Sequence, residues 1–135
     1  MKTLFILLTF VSGLASAADS MTCTASRTEQ SGGAAVVKTV DISGWLTLDG
    51  DDMGPGDYDY IADITLNEGG VSSSYTLVGE EKTYSAGSLY KDETKILSLR
   101  SEIPGTRKMS MSLMNRAQGT FLLDQKIYTL NCVIK

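Results

Sequence analysis

Residues 49–59, DGDDMGPGDYD, gather most of the side chains in this sequence that could do chemistry in concert. Asp49, Asp51, Asp52, Asp57 and Asp59 supply five carboxylates within eleven positions. Hard oxygen ligands at this density suit Ca2+. Crowded carboxylates also resist full ionisation unless a cation or basic groups compensate. The spacing, however, lacks the ligand order and closing glutamate of an EF-hand loop. The segment therefore reads as a solvated acidic loop, with Ca2+ or a basic partner surface as its possible ligands. Carboxylate catalysis needs two such groups facing a substrate at a set separation. Closeness along a loop does not provide that geometry.

The chain contains no histidine. That excludes His-based triads, histidine zinc ligands and imidazole acid–base chemistry. A Ser-Lys hydrolase remains chemically open, although no local motif selects the pair. Among the aromatics, Trp45, Tyr58 and Tyr60 are candidate ligand contacts. The spacing of the two tyrosines also suits the wall or core of a strand. Trp45 is expected to pack beyond a bend or to cover a barrel end. Met109 and Met111 read as flexible core fillers, not as a thioether metal site. The doublet Arg107-Lys108 reads as a solvated entry to a strand.

Cys23 and Cys132 are the two cysteines, one near each end. The first seventeen residues carry a basic start at Lys2, an apolar run over 4–11 and the small residues Ala15-Ser16-Ala17. This is the layout of a cleaved secretory signal. The expectation is therefore a mature domain over residues 18–135, periplasmic or secreted, with no later transmembrane segment. Export places the cysteines where a disulfide persists. An intramolecular Cys23–Cys132 bond would close a loop of about a hundred residues, for which chain entropy predicts roughly 4–5 kcal/mol. Loss of Lys2 with the signal takes the formal net charge from −4 to −5. An acidic surface argues against nucleic acid as a partner.

The elements that must hold these residues follow from period-two alternation. Met21, Cys23 and Ala25 share one face of a first strand over 21–27. Val36, Val40, Ile42, Leu46 and Leu48 share one face over 34–48, with Gly44 marking a bulge or bend. Tyr58, Tyr60, Ala62, Ile64 and Leu66 form a stripe over 57–67. Glu68-Gly69-Gly70 is a hairpin turn, and 71–79 returns from it. Glu80-Glu81-Lys82 reads as a polar turn or an exposed edge, followed by a short strand over 83–90. Further strands fall over 94–102 and from Met109. Residues 115–119 form a turn with Arg116 exposed, and 120–123 resume a strand. The last strand, 126–135, places Tyr128, Leu130, Cys132 and Ile134 on one face.

Cys23 and Cys132 thus lie on the apolar stripes of the first and last strands, which can meet at a closing seam. The reading is all-β, a small antiparallel barrel of seven to nine strands, with a two-sheet sandwich as the alternative. The function expected of such a chain is non-catalytic binding of a protein, an envelope component or a small ligand. The alternatives are a hydrolase with a carboxylate or Ser-Lys site and a structural surface or assembly protein.

Overall fold

The alternating stripes are the lining of a closed barrel. The computed structural model describes residues 18–49, 58–86, 92–101 and 107–135. They form β1 (Ala18–Ser31), β2 (Ala34–Asp49), β3 (Tyr58–Glu68), β4 (Val71–Ala86), β5 (Asp92–Ser101), β6 (Met109–Met114), β7 (Gln118–Leu123) and β8 (Lys126–Ile134). Each strand pairs antiparallel with the next, and β8 pairs back onto β1. The described strands form one continuous barrel, which replaces the sandwich alternative.

Every ladder runs in unbroken register, so of the bulge or bend expected at Gly44 the bulge is absent. Following paired residues around the wall gives the stagger of the barrel. Ala18 leads through Thr47, Ile61, Val78, Arg100, Ser110 and Leu122 to Ile127. Extending the β8–β1 register by two residues past Ser26↔Thr129 sets Ile127 opposite Thr28. The circuit therefore closes ten residues along β1 from its start. Such a stagger in an eight-stranded barrel implies strands tilted by roughly 35–45° to the axis and an interior that side chains can fill.

Apolar side chains line it. Met21, Cys23, Ala25, Ile42, Leu46, Ala62, Ile64, Leu66, Leu77, Leu97, Leu99, Met109, Met111, Leu113, Phe121, Leu123 and Leu130 are all buried. The outer positions are mostly hydroxyl and other polar groups: Thr24, Ser26, Ser43, Asp63, Thr65, Ser98, Ser112, Thr120 and Thr129 all point outward. A membrane-spanning barrel requires the opposite, an apolar outer band around a polar lumen. Among the described residues no helix is long and apolar enough to cross a membrane.

Two departures from the expected strands have physical reasons. β4 runs through Glu80-Glu81-Lys82 without a turn, since the backbone stays paired with β5 along this stretch. Gly119 lies inside β7, not in the preceding turn. That turn is Asn115–Ala117, with Asn115 and Arg116 at positive φ. Asp124–Gln125, Gly32–Gly33 and Gly69–Gly70 share this conformation, which the two-residue turns best matched to strand twist require.

Candidate functional site

Three glycines shape the wall. A Cβ on Gly44 would lie 2.0 Å from the Asp63 carbonyl oxygen, one on Gly79 would lie 1.7 Å from that of Ser98, and one on Gly119 would lie 1.7 Å from that of Ser112. In each case a neighbouring backbone passes where a side chain would stand, which only glycine permits. These are the corners at which β2 meets β3, β4 meets β5 and β6 meets β7. The fourth equivalent boundary, β8 to β1, carries no glycine. There Cys23 and Cys132 stand directly opposite each other and are joined as a disulfide, with Cα atoms 4.0 Å apart.

The Gly44 corner opens a groove of about 640 Å³ on the outside of β1–β4. Its floor is the row Met21–Gly44–Ile64, in which Met21 and Ile64 turn their side chains into the core. Two outward rows flank it. Thr22, Ser43, Thr65 and Ser74 make one, and Ser20, Trp45, Asp63 and Thr76 make the other. Tyr75 and Ser101 border the groove as well. Trp45 is 56% exposed. It therefore stands on the outer wall and does not cover a barrel end. Its parity, opposite to Leu46, points it away from the core. The Thr76 hydroxyl donates to Asp63 Oδ1 at 2.9 Å, which fixes the carboxylate beside the indole.

Both mouths of the barrel are bridged by arginine. Arg116, expected to be exposed, instead folds back from its turn. Its Nε donates to Glu81 at 2.9 Å, Nη1 to Asp19 at 3.1 Å and Nη2 to the Tyr60 hydroxyl at 3.0 Å. The guanidinium also lies 5.3 Å from the centre of the Tyr60 ring. Tyr60 thus has an internal partner in Arg116. Burial pushes its hydroxyl pKa up, against the pull of Arg116. Hydrogen bonding to Glu81 holds Arg116 above its ordinary range.

At the other mouth Arg107 pairs with Glu68 and Asp124. The Ser101 hydroxyl anchors this segment by donating to the Arg107 carbonyl at 3.1 Å. Arg107 is thus a brace, not the solvated strand entry its sequence context suggests. Its hydrogen bonds raise its own pKa and lower that of Asp124.

Of the acidic loop, the structure describes only two backbone positions, Asp49 and Asp59, which face each other across β2 and β3. Asp51, Asp52 and Asp57 lie outside the described residues, and so does the side chain of Tyr58. Among the described residues no cluster of three or more His, Cys, Asp or Glu side chains is arranged to hold a metal. At each mouth one arginine faces two carboxylates, Asp19 and Glu81 around Arg116 and Glu68 and Asp124 around Arg107.

The molecule is therefore a water-facing, eight-stranded antiparallel barrel with a packed apolar interior and a disulfide at its seam. Comparison with protein-family models, curated proteins and solved structures finds no match to this chain. Its chemistry is read from its own geometry.

Proposed function

We propose that this protein is an exported, non-catalytic binding protein whose ligand surface is the outer groove at Trp45. The observation that carries the proposal is the placement of the only tryptophan. It stands on the outside of the wall beside a fixed carboxylate and two rows of hydroxyls. Among the described residues no polar or charged side chain is buried in the interior, so polar recognition falls to the outer wall. A concave strip with an aromatic anchor and convergent polar groups is what a binding site requires. The signal-like leader and the disulfide together favour work outside the cytoplasm, in the periplasm or beyond the cell.

Because Trp45 is the sole tryptophan, its fluorescence reports on the groove directly. Purified protein titrated with soluble fractions of the cell envelope and culture medium should show a saturable change in Trp45 emission. The bound component should be recovered chemically unchanged. Emission indifferent to every fraction, or steady conversion of the bound component, would overturn the proposal.

A further inference from the structure

Resting on that reading of the groove, we infer that its ligand is a neutral saccharide, held as a short oligomer across β1–β4. The polar inventory makes the argument. Ser and Thr hydroxyls both donate and accept hydrogen bonds. Seven line the groove, and six of them, on Ser20, Thr22, Ser43, Thr65, Ser74 and Thr76, stand on its two outward rows. A ligand that uses them must itself carry many groups of both kinds along its length, as a sugar chain does.

The other two features fit the same class. The exposed face of Trp45 suits the C–H face of a sugar ring, which is flat, weakly apolar and edged with hydroxyls. Asp63 keeps one oxygen clear of Thr76 and can accept from a sugar hydroxyl, a charge-assisted bond stronger than a neutral one. Among the described residues no lysine or arginine lines the groove, so an anionic ligand would meet Asp63 with none of them to offset it. A simple amine could stack on Trp45 and pair with Asp63, yet it would leave the hydroxyl rows unused. Four strands at about 4.8 Å spacing carry the row from Thr22 to Ser74 over roughly 14 Å. That length accommodates more than one ring.

Titration of the intact protein with neutral gluco-oligosaccharides and N-acetylglucosamine oligomers, followed by Trp45 emission and by calorimetry, tests this. The choline cation and inorganic phosphate serve as contrasting probes. Saturable binding that strengthens from monosaccharide to trisaccharide is expected, with no response to phosphate. Trp45→Ala and Asp63→Asn should each weaken saccharide binding by about tenfold or more in calorimetry. Thermal melts of both variants would establish that they are folded. If choline binds and the sugars do not, the saccharide assignment fails while the groove stands. If an envelope fraction changes Trp45 emission but no sugar competes with it, the assignment fails in the same way. If nothing perturbs Trp45, both fall.

Discussion

The β8–β1 seam and the glycine corners do the same geometric task by opposite physical means. At Gly44, Gly79 and Gly119 the wall turns because a side chain is missing and the adjacent backbone fills its place. At the seam both partners have side chains, and these are joined covalently. The corners act on the folded state, by permitting an approach that any Cβ would block. The disulfide acts chiefly on the unfolded state, by forbidding the two ends of the chain to separate. The barrel thus spends its one covalent link on the junction with the greatest separation in sequence, 109 residues. The corners join strands that are consecutive in the chain, where loop closure is already inexpensive.

Cutting the seam should give the largest effect. Cys23→Ala with Cys132→Ala is expected to lower stability to unfolding by roughly 2–5 kcal/mol. The denaturant slope should also rise, because the released unfolded chain exposes more surface. Gly79→Ala should come next. Its new Cβ meets a backbone carbonyl that cannot swing aside, so a loss of about 1–3 kcal/mol is expected. Here the midpoint of urea unfolding should fall while the slope stays as in the parent. An unchanged slope in the cysteine variant, or a raised one in Gly79→Ala, would break the division between unfolded-state and folded-state effects.

The seam was more legible in the sequence than the corners were, and the reason is parity. Cys23 shares its alternation with Met21 and Ala25, and Cys132 with Tyr128 and Leu130, so both face inward once both stripes do. The Gly-Gly pair at 69–70 likewise announces its turn, since positive φ is easy for glycine. Gly119, close to Asn115 and Arg116, carries the same local signal as a turn glycine. Its true role depends on the Ser112 carbonyl of the strand beside it. Glu81 looked like part of a polar turn because the partner that draws it to the mouth, Arg116, lies 35 residues away. The groove follows the same rule. Each strand displays its outward hydroxyls, but only the register shows that Thr22, Ser43, Thr65 and Ser74 form one row.

The smallest effect tests whether the disulfide acts through the unfolded chain. Asp124, in the turn leading into β8, is held below its ordinary pKa of 3.8, first by the hydrogen bond from Arg107. A carboxylate with a depressed folded pKa contributes stability above its unfolded pKa and loses it as pH falls through the folded value. Its side chain is 48% exposed, so solvent screening should keep the contribution below about 1 kcal/mol. Melting temperatures of the parent and Asp124→Asn should therefore differ by a small constant amount above about pH 5. The two curves should converge toward pH 2. The asparagine tolerates the same positive φ, which leaves the lost charge as the main change. If the seam works on the unfolded ensemble alone, Asp124→Asn should show the same increment when Cys23 and Cys132 are alanines, as independent sites do. A larger increment without the disulfide would mean that the covalent link also holds β8 in place within the folded barrel, and the contrast between seam and corners would narrow accordingly.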